Sequence, residues 1–482
     1  MRAARRLLPC VTAALLAVAG LAAPAAAYAG QPISSLVSDV ASDLTPSVPG
    51  GYCYTEADQN KCRRILVLKQ FGDWIYAGGI ISSVTDRTTN VTTTGYHNIF
   101  RFSASTGKVD RSWKPQFYRS AQANNTTAYS DSAITGIASD GAGTIYVAGR
   151  FTTYASAPGA AGVTRRGAAA VSATSGALLP FDPHVCSGGG PCIVNDVEDV
   201  NGTFWLGGKF TNVGGTPVTG LAFVDPTSGA VKGPQLGVSG AVTSTVGTKV
   251  AQIAINPQQT QAVMIGNFTA VGGATHDEVA VLDITASGGA TVDPWNDPAN
   301  LSASNSANCS PDDTWARGVD WDPTGTYFDI AASGGGGFDA FGAAGALCDA
   351  FSRFKSDGNP KTPHPLIVNE TGFDSLFTVL DTGPIVYTGG HNKNLDHAVY
   401  INGVKVHSPE QKHYGIGAID VQIGDPNYGH AILSFNNSIA TGRGAGWAAS
   451  LSNGSGIYIG GDAQVVGTDT TIARLAFFPV SG

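Results

Sequence analysis

One short phrase recurs along this chain, and a repeat of that kind narrows the possible folds more than any other feature of the sequence. An apolar-aromatic run ends in two small residues at Ile75-Tyr76-Ala77-Gly78-Gly79, Ile145-Tyr146-Val147-Ala148-Gly149 and Phe204-Trp205-Leu206-Gly207-Gly208. It returns at Val263-Met264-Ile265-Gly266-Asn267, Val386-Tyr387-Thr388-Gly389-Gly390 and Ile457-Tyr458-Ile459-Gly460-Gly461. A degraded copy, Phe328-Asp329-Ile330-Ala331-Ala332, fills the one wide gap. The fourth positions are 78, 148, 207, 266, 331, 389 and 460, so successive copies lie 70, 59, 59, 65, 58 and 71 residues apart.

Each copy sits in a larger unit. A strand-like run and a tight turn precede it, as in Ile134 to Ala138 followed by Asp140-Gly141-Ala142-Gly143. Asp and Gly suit the positive φ of a hairpin. A third apolar run follows, often through Phe-Thr-x-Val-Gly-Gly (Phe210 to Gly215, Phe268 to Gly273). A Thr-Gly or Ser-Gly turn then opens a fourth, as at Thr106-Gly107, Ser175-Gly176 and Ser228-Gly229. Seven units of four short antiparallel strands predict an all-β, seven-bladed β-propeller over residues 52–482. A lone blade cannot bury both faces, so blades must stack into a ring. No segment carries a sustained helical apolar stripe, so helices should be nearly absent. The last unit runs out after three strands, and residues 30–51 are expected to supply the missing one. A β-helix has shorter coils, and a pair of sandwiches does not need seven equal units.

These Tyr-Val/Ile-Gly-Gly and Thr-Gly positions, over roughly residues 65 to 480, resemble the secreted bacterial propellers built of delta-sixty repeats. Unit five departs from the pattern at Asp329 and Ala331. The resemblance implies architecture and little about activity, because propellers host enzymes, lectins and scaffolds alike.

The first residues give a charged start, an apolar run from Leu7 to Leu21 and an Ala-rich exit, the pattern of a secretory signal peptide over 1–29. Cleavage after Ala29 fits, with Ala27 as the alternative, so the mature chain is expected to be secreted and extracellular. No other stretch is long and apolar enough for a membrane span. Losing Arg2, Arg5 and Arg6 takes the net charge from −8 to −11. That acidic balance argues against nucleic acid or anionic lipid as partner. Cys10 leaves with the leader, and six cysteines remain. An even count in an exported chain reads as disulfides; nearest-neighbour pairing gives Cys53–Cys62, Cys186–Cys192 and Cys309–Cys348, among about 15 possible connectivities.

The first-to-second and third-to-fourth turns are short, whereas the remaining connections hold the insertions Ser82 to Asn98, Pro115 to Ser132, Asn296 to Arg317 and His391 to Gly415. All four should emerge on one face, and long loops on a rigid scaffold commonly carry binding. Asp312, Asp313, Trp315 and Arg317, near Asp320 and Trp321, would suit a sugar, the indole stacking on its C–H face and the acids accepting from its hydroxyls. Tyr129 and Asp131 lie in a second such loop, rich in Asn, Thr and Tyr. The bland reading of the first cluster is a capping turn and a core Trp. His391, Asp396, His397, His407 and His413 match no metal spacing and read as solvated side chains, so no metal and no cofactor is expected.

No Gly-x-Ser-x-Gly elbow, His-Glu-x-x-His, P-loop or Cys-x-x-Cys is present. Ala104-Ser105-Thr106-Gly107 with Trp113 looks like the Trp-docking repeat of quinone-cofactor dehydrogenases, but only Trp295 keeps that Trp elsewhere. The leading expectation is a non-catalytic, lectin-like recognition module for a glycan, cell-wall polymer or secreted protein. An extracellular polysaccharide hydrolase, whose two carboxylates need not be close in sequence, is the alternative. A structural subunit of a secreted surface or antibacterial assembly is the third. Asn-x-Ser/Thr sequons occur at Asn90, Asn125, Asn267 and Asn369.

Overall fold

The computed structural model describes residues 31–50, 63–119, 132–186, 192–242, 244, 246–298, 300–301, 309, 316–334, 339–357, 365–406, 408–435, 446–467, 469 and 471–481. Among the described residues the regular structure is β apart from one short helix, Ala340–Ala344. No helix among the described residues is long and apolar enough to cross a membrane.

Seven antiparallel groups of strands follow one another, each ordered first, second, third. Group one is β1 (Arg64–Phe71), β2 (Trp74–Ile80) and β3 (Ile99–Ser103). Group two is β4 (Ala133–Ser139), β5 (Thr144–Arg150) and β6 (Ala168–Ser172). Group three is β7 (Ile193–Val200), β8 (Thr203–Lys209) and β9 (Leu221–Val224). Group four is β10 (Lys249–Ile255), β11 (Gln261–Asn267) and β12 (Val279–Ile284). Group five is β13 (Ala316–Trp321), β14 (Tyr327–Ala332) and β15 (Ala350–Lys355). Group six is β16 (Leu376–Asp381), β17 (Ile385–Gly390) and β18 (Ile416–Asp420). Group seven is β19 (Trp447–Ser452), β20 (Gly456–Gly461) and β21 (Leu475–Pro479). The recurring phrase is the second strand of each group. Asn201 and Gly202, both at positive φ (49° and 70°), close the β7–β8 hairpin as expected.

In every group the first strand meets the second through one β-bulge, placed between Ile65 and Val67 in group one and at the matching step in the other six. The bulge explains the small residue that ends the phrase. A Cβ on Gly79 would meet the carbonyl oxygen of Arg64 at 2.1 Å, and Gly149, Gly208, Gly266, Gly390 and Gly461 face the same obstacle at 2.0–2.2 Å. In group four the register corrects the sequence alignment by one residue. Gly266 pairs with Val250 as Gly79 pairs with Ile65, so the phrase there is Ala262 to Gly266. Group five carries Ala332 at this position.

The first strands pack side by side in chain order, and β19 returns to β1. The core has the same arrangement. Seven apolar clusters each join two consecutive groups, such as Tyr76 and Ile99 with Ile134 and Val147. The cluster of Leu451, Tyr458 and Phe477 with Ile65, Phe100 and Phe102 joins the last group to the first. Trp113 and Trp295, the two tryptophans of the docking-like turns, take part in this packing. Trp113 Nε1 donates to Ser172 O and Trp295 Nε1 to Lys355 O, each at 3.0 Å in the next group.

A fourth strand is complete in group five, where Ile367–Glu370 pairs with β15, and is reduced in the others. Group four has Ala290–Val292, while groups one, two, three and six have single bridges, such as Phe102 to Val109. In group seven the place beside β21 is taken by the N-terminal segment. Val37 bridges Val480, Ser38 N donates to Pro479 O and Ser42 N to Phe477 O, both at 2.7 Å. Arg474, almost fully buried, donates to Val48 O and Gly50 O. Ser47 then exchanges both backbone hydrogen bonds with Thr85 of the short strand Ser83–Asp86 that follows β2.

Candidate functional site

Of the loop residues expected to bind a ligand, Asp312, Asp313, Trp315, Tyr129 and Asp131 lie outside the described residues. Arg317 is the skipped residue of the β13 bulge, faces the central cavity, and donates from Nε to Ser333 Oγ at 2.7 Å. Asp320 lines the same cavity, whereas Trp321 is buried and donates to Ala254 O. His397 Nδ1 lies 2.7 Å from Glu410, and Asp396 accepts from Asn369, Ser408 and Ala431. His407 is outside the described residues.

The disulfide Cys309–Cys348 is present and ties the segment before β13 to the one before β15. Cys186 and Cys192, the second expected pair, lie side by side with their side chains in contact. Contact with Cys192 and burial push the Cys186 thiol up. Cys53 and Cys62 lie outside the described residues.

The seven bulges shape a central cavity of about 270 Å³. Its lining includes every skipped residue: Leu66, Thr135, Asn195, Ala251, Arg317, Phe377 and Ala448. A bulge re-aims one side chain, and here seven are aimed at one space. Three residues past the skipped position, groups one, three and five carry Lys69, Glu198 and Asp320. Lys69 Nζ lies 2.7 Å from Glu198 Oε1. Burial pushes Glu198 up to about 7 against the pull of Lys69, and pushes Asp320 up to about 8. Burial opposes the charge on Lys69 too, but Glu198, Asp196 and Asp320 outweigh it and hold the amine above its ordinary value.

The remaining polar groups link neighbouring groups of strands. Asp196 Oδ2 accepts from Ile253 N, Asp320 Oδ2 from Asp381 N, and Gln252 bonds both backbone atoms of Val319. First strands of adjacent groups share no ladder, so these bonds stand in for one.

A larger groove, about 720 Å³, opens at the other ends of these strands. It is walled by short turns of groups seven, one and two: Asn453 after β19, Gly72 after β1, and Gly141 and Gly143 after β4. Gln31 of the N-terminal segment also lines it, held by the Ser452 Oγ hydrogen bond to its carbonyl at 2.6 Å. Phe71, Trp74, Tyr76 and Arg101 form the aromatic side. The Arg101 guanidinium lies 4.4 Å from the Trp74 ring centre, where cation and π face attract. Arg101 is held in turn by Asp110 Oδ2 at 2.6 Å, Tyr76 OH at 3.1 Å and Ala173 O. No Asp or Glu is among the lining residues.

The groove is walled by the short turns and not by the long loops in which ligand contacts are expected from the sequence. The only local signal is Trp74 itself, a large aromatic directly after a Gly-Asp turn. Compared with models of known protein families and with curated proteins, the chain matches none.

Proposed function

We propose that this chain is a seven-bladed β-propeller of the delta-sixty-repeat type, exported and acting as a non-catalytic recognition module. Its target is a glycan, a cell-surface polymer or another secreted protein. Seven apolar clusters that join consecutive groups, the seventh joining last to first, support the propeller. The hydrogen bonds of Val37, Ser38 and Ser42 beside β21 support closure by the N-terminal segment, which leaves no free edge at the joint.

The observation that carries the recognition reading is the aromatic groove, whose volume of 720 Å³ falls in the range of ligand sites. The hydrolase reading finds Glu198 and Asp320 at matching positions in the central cavity, but Glu198 is bound to Lys69 and Asp320 to Asp381 N. The test is binding of labelled mature protein to a broad glycan array and to whole bacterial cells. Selective binding without turnover supports the module. Binding to neither removes the glycan and cell-surface targets and leaves a secreted protein partner, to be sought by pull-down.

A further inference from the structure

The groove on the short-turn face has a chemistry narrower than recognition in general. Trp74 is partly exposed there, and the stacked Arg101 fixes its orientation. A clamped indole loses little side-chain freedom when a ligand arrives. Polar groups without partners surround it. Gln70 donates from Nε2 to Gly72 O, but its Oε1 is buried without a hydrogen bond. Asn453 uses Oδ1 to accept from Ser455, and among the described residues neither its NH2 nor the Trp74 indole N–H has an acceptor. A buried acceptor left without a donor costs about 1–3 kcal/mol; Oε1 is closed to solvent as it stands, so a ligand hydroxyl supplies the missing donor once the Gln70 amide turns toward the groove.

The charge balance narrows the ligand further. Arg101 is the one charged residue in the lining, and Asp110 neutralises it. An anionic polymer would find no free cation and a cationic one no carboxylate. We propose that the groove binds a neutral hexose chain, one sugar stacking on Trp74 and its hydroxyls meeting Gln70 and Asn453. The inference rests on the recognition reading above and names the ligand class of its site.

The test is calorimetric titration of the full mature protein with linear neutral hexose oligosaccharides (β-glucan, α-glucan, mannan and chitin series), with polygalacturonate as the charged comparison. Variants are Trp74→Ala, Trp74→Phe, Gln70→Leu and, on an exposed outer hairpin, Val404→Ser. Each is first checked for an unchanged thermal midpoint; Trp74→Phe and Gln70→Leu serve if Trp74→Ala does not fold. The expected result is binding of a neutral series, weakened about tenfold or more in Trp74→Ala. Trp74→Phe and Gln70→Leu should weaken it less, and Val404→Ser should leave it unchanged. Unaltered binding in folded Trp74→Ala overturns the site while recognition stands. Binding of polygalacturonate alone, or of no sugar, overturns the ligand class; binding to whole cells then decides the recognition reading separately.

Discussion

Lys69 Nζ and Glu198 Oε1, 2.7 Å apart, join group one to group three and pass over group two. The pair is therefore a strut across the central cavity and not a link between neighbours. Removing the cation leaves Glu198 to be buried alone. Breaking a buried pair costs about 3–5 kcal/mol in dry sites, and the open cavity lowers that toward about 1–3 kcal/mol. In Lys69→Met, Glu198 is expected to take up a proton, its pKa rising beyond the paired value of about 7. A carboxyl raised in the folded state gives stability that is lost as pH rises through its folded pKa. Lys69→Met should thus be more destabilised at pH 8 than at pH 6, and Lys69→Met with Glu198→Leu should recover much of the loss. Urea midpoints of the double-mutant cycle at both pH values check this; equal losses at pH 6 and 8 would count against the strut.

A second buried charge cluster sits where the repeat phrase breaks. Asp329 replaces the aromatic residue of the phrase and pairs with Arg353 at 3.4 Å, which also holds Asp381 at 3.0 Å. Burial raises Asp329 well above the carboxylate range and raises Asp381 as well, with Arg353 opposing both. Two carboxyls around one guanidinium fit best when they share a proton. The sign follows the same rule: the contribution is full below the unfolded pKa of about 4 and is lost as pH climbs. With Asp320 titrating at about 8 in the same region, the thermal midpoint of the wild type should fall between pH 6 and 9. Asp329→Asn should flatten that fall. An unchanged slope in Asp329→Asn would exclude this cluster as its source.

Much of the architecture could be read from the chain because its determinant is local. A small residue is needed where a bulge carbonyl crowds the second strand, glycine in six groups and Ala332 in the fifth, so the phrase repeats with the bulge. The same cause explains the one-residue error in group four, where Gly266 alone marks the crowded position and Met264-Ile265 carried no small residue to fix the register. The candidate groove could not be read. Gln31, Trp74, Gly141 and Asn453 are hundreds of residues apart at the extremes and meet only when the last group packs against the first. Nor does composition mark Lys69 and Glu198 as partners, since their separation of 129 residues has no periodic signature apart from the repeat itself.

The contact between Cys186 and Cys192 makes a covalent prediction. Both sulfurs are already together beside Val185, whose carbonyl accepts from Cys192 Sγ at 3.5 Å. In an oxidising compartment such a pair closes to a disulfide. Peptide mapping of protein folded under oxidising conditions, alkylated without reduction, should recover residues 186 and 192 in one cross-linked fragment. Two alkylated thiols at these positions would refute the expectation.

The bulge glycines provide the most direct test of the repeat. A Cβ at Gly79 would stand 2.1 Å from Arg64 O and 2.9 Å from Ile65 Cα, both backbone atoms that a side-chain rotation cannot clear. Gly79→Ala must therefore push β2 from β1 at the step that aims Leu66 into the cavity. Overpacking of this kind costs about 1–3 kcal/mol, and a backbone obstacle belongs at the upper end. Gly202→Ala, in the β7–β8 turn with nothing within 4 Å, should cost about 1 kcal/mol through its positive φ alone. Group five already carries a methyl at the matching place, so Ala332→Gly should cost only about 0.5–1 kcal/mol of strand entropy. Denaturant midpoints of the three variants should rank Gly79→Ala as the least stable. If Gly79→Ala were as mild as Gly202→Ala, crowding at the bulge would not be what holds the phrase to its small residue.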